Sequence, residues 1–175
     1  ADFTNMRSYF YATGYGRVMS CDDFTTEENS ARWGVPDHIT FPRVEKEIVR
    51  QTARPFMKTF LTLSSHEPFD VPMSRLEHPY LNSVAYTDSC LGAFVDTLRQ
   101  SPLWENLLIV FVADHTMRYP AGIQEHEVKR HHIPMVWCGG AVRGPRVVED
   151  YASQIDLAAT LLAQMHIDYS DFAFS

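Results

Sequence analysis

Several things are scarce or missing in this sequence, and each excludes a class of protein. Cysteine occurs three times, as Cys21, Cys90 and Cys138, too few and too scattered for a disulfide framework or a zinc knuckle. No apolar run approaches about 18 residues, so nothing here is expected to span a bilayer. Basic charge is in deficit: 15 Lys and Arg stand against 22 Asp and Glu, a formal −7 with the histidines neutral. That balance excludes general binding to a nucleic-acid backbone, which needs a basic face. There is no internal repeat, no low-complexity tract and no signal-like segment after Ala1. The G-x-S-x-G elbow, the phosphate loop ending in Gly-Lys and the dinucleotide fingerprint are all missing.

What is present is globular. The 175 residues are 45% hydrophobic and 21% charged, and a chain of this size can bury about 68–70% of its unfolded surface. The unusual component is histidine, with 8 copies, several of them close to carboxylates.

Periodicity predicts a helix over 2–12, with Phe3, Met6 and Phe10 on one face and Gly14 as its stop. Asp37 is expected to N-cap a second helix reaching about Thr52, with Phe41, Val44, Ile48 and Val49 as its apolar stripe. Residues 56–63 are short, apolar and aromatic, and read as a buried strand. Pro68 to Pro79 reads as loop. Leu81 to Leu98 is helical in pattern. Residues 107–113 form a continuous apolar run, the mark of a strand covered on both faces in a parallel sheet. A polar loop (116–131) leads to a further short apolar run stopped by Gly139-Gly140, and Ser153 to Met165 reads as a terminal helix. This order is that of an α/β domain with a mostly parallel sheet flanked by helices. Trp33, Trp104 and Trp137 are expected in the core or at its edge, and Cys90 and Cys138 inside apolar segments.

In open α/β sheets ligands bind beyond the carboxyl ends of the strands. The first expected strand runs into Ser64-Ser65-His66 and the second into Asp114-His115. A carboxylate and an imidazole side by side suit zinc, manganese or a similar divalent ion better than calcium, which prefers oxygen alone. Two ligands do not complete a site. An Asp at a strand end also caps helices, and a lone His also bonds the backbone, so both readings stand at this level. His126 and His131 imitate a zinc-protease helix, but a spacing of five leaves their rings about 140° apart.

Taken together, five stretches resemble the carboxyl-terminal part of a sulfatase-type catalytic domain of the alkaline-phosphatase superfamily. They are DFTNMRSYFYATGY, ARWGVPDHITF, FLTLSSHEPF, the run PYLNSVAYTDSC to LLIVFVADH with HHIPMVW after it, and SQIDLAATLL. The branch they resemble most is the lipoteichoic-acid-synthase-like phosphoglycerol transferases. The resemblance implies that Asp114 and His115 bind a catalytic divalent metal ion (Mn, Zn or Mg; Ca on a sulfatase reading). It implies that His66 contacts the substrate phosphate, that His132 lies near the substrate, and that Arg7 is a loose candidate for the headgroup pocket, since Met6 stands where some synthases have arginine. It further implies a covalent mechanism, a phosphoglycerol lipid headgroup or a sulfate ester as substrate, and an extracytoplasmic, membrane-anchored parent enzyme. The nucleophile and one acidic metal ligand are expected upstream of residue 1, so these 175 residues alone are expected to be inactive. A non-catalytic anion- or partner-binding role is the alternative.

Overall fold

A computed structural model describes residues 5–175. The chain forms two compact units, 1–104 and 105–175, each described here by itself.

In the first unit, α1 spans Met6–Ala12, α2 Asp37–Val49 and α3 Pro79–Arg99. Helix α3 begins at Pro79, two residues before the expected Leu81. His78 caps it by accepting from the Tyr80 N–H (3.2 Å), and Pro79 takes the first turn, where no N–H is needed. Helices α2 and α3 pack together. The Phe41 ring lies 4.8 Å from Phe60 and 5.3 Å from Phe94 between centroids, and Ile48, Tyr86, Leu98 and Leu103 complete the buried set. The 68–78 stretch is irregular, as expected, whereas Pro79, expected in this loop, is the first residue of α3. The stretch is pinned by Asn82, whose Oδ1 accepts from the Arg75 and Leu76 N–H groups (2.8 Å each) while its Nδ2 donates to the Leu76 carbonyl.

Two further expectations change in this unit. Asp37 is not the N-cap of α2; Pro36 holds that position and Asp37 is the first helical residue. Its carboxylate is fully buried and is turned to other work. Oδ1 accepts from the Leu63 N–H (2.8 Å), and Oδ2 from the Ser64 N–H (3.2 Å) and the Thr87 hydroxyl (2.9 Å). Ser64 Oγ in turn accepts from the Asp37 N–H (3.0 Å). Residues 56–63, expected as a strand, have no ladder partner among the described residues. A strand needs a neighbour to take its backbone groups; this segment is held instead by Asp37 and by the packing of Phe60.

The second unit contains β1 (Ile109–Val112), β2 (Met135–Cys138) and α4 (Asp156–Gln164). The strands pair antiparallel, with Ile109 opposite Cys138 and Val112 opposite Met135. The α/β class holds, but the parallel pairing expected from the apolar run 107–113 is not the pairing of the described strands. An apolar run reports burial and says nothing of strand direction, and the polar 116–131 connection returns the chain antiparallel with only a 3₁₀ turn (Val128–His131) inside it. Gly139 ends β2 for a steric reason. Its φ is +114°, and a Cβ there would sit 2.0 Å from the Leu107 carbonyl oxygen. No helix among the described residues is long and apolar enough to cross a membrane.

Candidate functional site

Strand β1 delivers Asp114 and His115 into an open cleft of about 610 Å³, lined also by Thr116, Glu125, Arg130, His131, Ile133 and Gln154. The Gln154 amide donates to the carbonyls of Ala113 (2.6 Å) and Asp114 (3.0 Å), fixing the strand end. Thr116 is tied to Arg130, which also donates to the Met117 carbonyl at 3.0 Å. Within this frame His115 Nδ1 faces the Thr116 carbonyl oxygen at 2.9 Å. A carbonyl only accepts, so Nδ1 carries a proton, which in the neutral ring leaves the lone pair on Nε2. Asp114 Oδ2 lies 3.4 Å from that Nε2, and both side chains are largely exposed, at 81% and 73%.

This pair fits half of a metal site. Two donors on one tetrahedral ion with bonds of about 2.0–2.2 Å stand roughly 3.4 Å apart, and a ligating histidine ordinarily gives its other N–H to a carbonyl or carboxylate. The other half is not here: among the described residues no group of three or more His, Cys, Asp or Glu is placed to hold an ion. The histidine that shares the cleft is His131, its Nε2 paired with the Glu125 carbonyl at 2.9 Å. His132, the expected one, does not line it. His126 does not line it either, in keeping with the unfavourable spacing.

His66 lies in the first unit, in a cleft of about 350 Å³ shared with Arg32, Trp33, Glu67, Pro68 and Phe69. The network under Asp37 fixes the backbone at Leu63 and Ser64, and the His66 N–H donates to the Leu63 carbonyl (2.9 Å). The Glu67 carbonyl then accepts from both the Trp33 indole N–H and His66 Nδ1, each at 2.8 Å. The two rings meet edge to face, with centroids 5.7 Å apart. Trp33, expected in or at the core, is 52% exposed and forms a wall of this cleft.

Arg7 does not line the His66 cleft. Its guanidinium donates to Ser20 Oγ (2.7 Å) and Asp22 Oδ2 (2.8 Å), which ties α1 to the Cys21–Asp23 turn. The arginine that does share a cleft with His66 is Arg32, and the sequence reading passed over it. The pair Arg32-Trp33 precedes His66 by more than thirty residues, so spacing gave no signal.

Elsewhere in the first unit, Tyr86 hydrogen-bonds His38 Nδ1. Burial, reinforced by the neighbouring Cys90, pushes the Tyr86 hydroxyl up to about 12. Burial, and then the Asp37 charge, also pushes the Cys90 thiol up. Cys90 is therefore a weak nucleophile.

These geometries accompany a consistent set of likenesses. The chain is 27% identical over 93% of its length to a lipoteichoic acid synthase-like protein, YvgJ, of Bacillus subtilis (strain 168), covering 31% of that protein. It is 25% identical over 93% of its length to phosphoglycerol transferase I of Xanthomonas campestris pv. campestris (strain B100), covering 25% of it. A crystal structure of an alkaline-phosphatase-superfamily protein from Vibrio parahaemolyticus superposes on 97% of the chain with a TM-score of 0.84 at 29% identity, covering 43% of that protein. The chain thus spans less than half the length of each of these relatives. The sulfatase family model matches residues 1–167, and with nearly the whole sequence so matched, the chain belongs to the sulfatase family.

Proposed function

We propose that this chain supplies half of a divalent-metal site and an oxyanion-contacting histidine to an extracytoplasmic transferase that moves a phosphoglycerol group through a covalent enzyme intermediate. The observation that carries the metal assignment is the Asp114–His115 pair: a carboxylate oxygen 3.4 Å from an imidazole Nε2 whose tautomer is fixed by the Thr116 carbonyl. The phosphoglycerol assignment rests on likeness to phosphoglycerol transferase I, a relative that carries that activity in its name.

The chain's own groups divide the work. Asp114 and His115 would hold the ion, which would offset negative charge developing on the transferred group. Gln154 keeps the strand end in place beneath them. His66, its Nδ1 proton given to the Glu67 carbonyl, turns Nε2 to the cleft; a second proton there makes it a donor to a nonbridging oxygen. Ser64 and Ser65 in the first unit and Thr116 in the second carry hydroxyls, and this reading gives none of them the role of nucleophile. On this reading the nucleophile is contributed by a part of the parent enzyme other than these residues, and so is its membrane anchor.

The reading is tested in a protein extended upstream to the length of its relatives, assayed on a nitrophenyl phosphodiester and a nitrophenyl sulfate. Diester turnover that falls at least about 100-fold in Asp114→Ala is expected. Unchanged turnover in that variant would sink the assignment, and turnover of the sulfate alone would move the enzyme to sulfate-ester hydrolysis. The 175-residue chain by itself is expected to turn over neither compound.

A further inference from the structure

We propose that Trp33 is a positioning residue for His66: acting through the Glu67 carbonyl, it fixes which ring nitrogen carries the proton and where the other points. The inference deepens the function proposed above and rests on it for the role of His66 in the reaction. Two short segments grip each other around that histidine. Residues 33–37 meet residues 63–67 at both ends, in opposite chain order. At one end the Asp37 carboxylate accepts from the Leu63 and Ser64 N–H groups, and Ser64 Oγ accepts from the Asp37 N–H. At the other end the Trp33 indole N–H donates to the Glu67 carbonyl at 2.8 Å. Val35, between the two clamps in sequence, is buried. The backbone on either side of His66 is thus held by one neighbouring segment.

Local sequence brings the indole there. Ala31 and Gly34 exchange backbone hydrogen bonds in both directions (3.0 and 3.3 Å), closing a tight turn whose central pair is Arg32 and Trp33. Gly34 has a φ of +147°, a conformation open chiefly to glycine, and a Cβ there would touch Leu63 Cδ2 at 3.4 Å. The turn therefore lies against the segment it grips. The Glu67 carbonyl has two lone pairs and uses both, one for the indole N–H and one for His66 Nδ1, each at 2.8 Å. An indole nitrogen only donates, so this bond turns the carbonyl one way and the imidazole finds its acceptor already in place. The edge-to-face contact of the two rings, 5.7 Å between centroids, restrains the imidazole further. In the neutral ring the lone pair is then left on Nε2. This role accounts for a tryptophan kept outside the core.

The test reads the His66 tautomer from ring ¹⁵N spectra of the 175-residue chain, assigned with His66→Gln, at about pH 8.5, where imidazole is neutral. The wild type is expected in the Nδ1–H form. Trp33→Phe keeps an aromatic edge and removes the N–H. The ratio of Nε2–H to Nδ1–H should then rise about 10-fold, the weight of one hydrogen bond on the shared acceptor. The Leu63 and Ser64 amide signals, held by Asp37, should stay in place, which separates positioning from loss of fold. If the smaller ring unsettles that segment, replacement of Trp33 by 3-benzothienylalanine keeps the bicyclic shape, lacks the N–H and gives the same readout. Trp104→Phe, whose ring lies beside Arg99 and outside the cleft, should leave the ratio alone. An unchanged ratio in Trp33→Phe overturns the proposal.

Turnover gives the second arm. In the upstream-extended protein Trp33→Phe should lower diester kcat/KM about 10-fold, and should cost nothing further once His66→Gln is present, since it acts through that ring. Equal losses in the two backgrounds overturn the proposal. Wild-type turnover in His66→Gln removes the role proposed above for His66, and the tautomer ratio still decides what Trp33 does to the ring.

Discussion

The two units solve the placement of an exposed histidine in opposite ways. In the first, His66 is exposed but stands on a buried scaffold: Asp37, fully enclosed, gathers the Leu63 and Ser64 N–H groups and the Thr87 hydroxyl under it. In the second, Asp114 and His115 rest on a two-stranded ribbon with Val136 53% exposed, and Ala159 is the one residue of that unit in the buried core among the described residues. A two-stranded ribbon is marginal alone. The lesson is that a site can be fixed by core packing or by a few polar clamps such as Gln154 and Arg130, and that the second kind tolerates far less perturbation of its backbone.

Substitutions should separate the two regimes. Leu98→Ala, at a fully buried position, is expected to destabilise the first unit by about 2–5 kcal/mol in urea unfolding; a loss under about 1 kcal/mol would contradict the packed core. Asp37→Ala leaves three donors without acceptors and should cost about 3 kcal/mol or more. It should also broaden the His66 ring resonances, since the segment leading to that residue loses its anchor. Unmoved His66 signals would show that the scaffold does not reach the cleft. Gly139→Ala, strained at φ +114° and crowded by the Leu107 carbonyl, should lower the melting of the second unit by about 2 kcal/mol, with little change in the first. Val136→Ala, exposed, should change stability by no more than about 0.5 kcal/mol.

Alkali offers a probe of the first unit alone. Tyr86 ionises at 10.0 in an unfolded chain and at about 12 when folded. A raised folded value means that its contribution is complete below 10 and is lost as the pH climbs from 10 to about 12. Unfolding midpoints of the first unit should fall across that window, and Tyr86→Phe should remove this part of the fall. An identical alkaline profile in the variant would count against burial as the cause.

Much of this fold is legible in the sequence where the signal is local. Phe41 and Ile48 on the buried face of α2, the glycine stop after β2 and the Asp-His pair at the end of β1 follow from residue type and spacing, whereas Val49 of the expected stripe is exposed and Pro79, read as loop, opens α3. What spacing could not carry is which distant groups meet. Asp37 looks like a cap because acidic residues cap helices, and only the tertiary approach of 63–64 and Thr87 turns it into a buried hub. Residues 56–63 have a strand's composition, but composition does not provide a partner. Arg7 sits in the stretch that resembles a headgroup pocket, yet Ser20 and Asp22 engage it, and Arg32 reaches the His66 cleft from another segment. Trp33 carries the hydrophobicity of a core residue and the exposure of a binding one.

The central claim is that Asp114 and His115 hold a divalent ion. Its most direct measurement is the metal content of the upstream-extended protein, purified without chelator and dialysed, beside Asp114→Ala and His115→Gln. About one equivalent of Mn, Zn or Mg in the wild type, lost in both variants while the fold is retained, is the expected result. Equal metal content in all three proteins would contradict it.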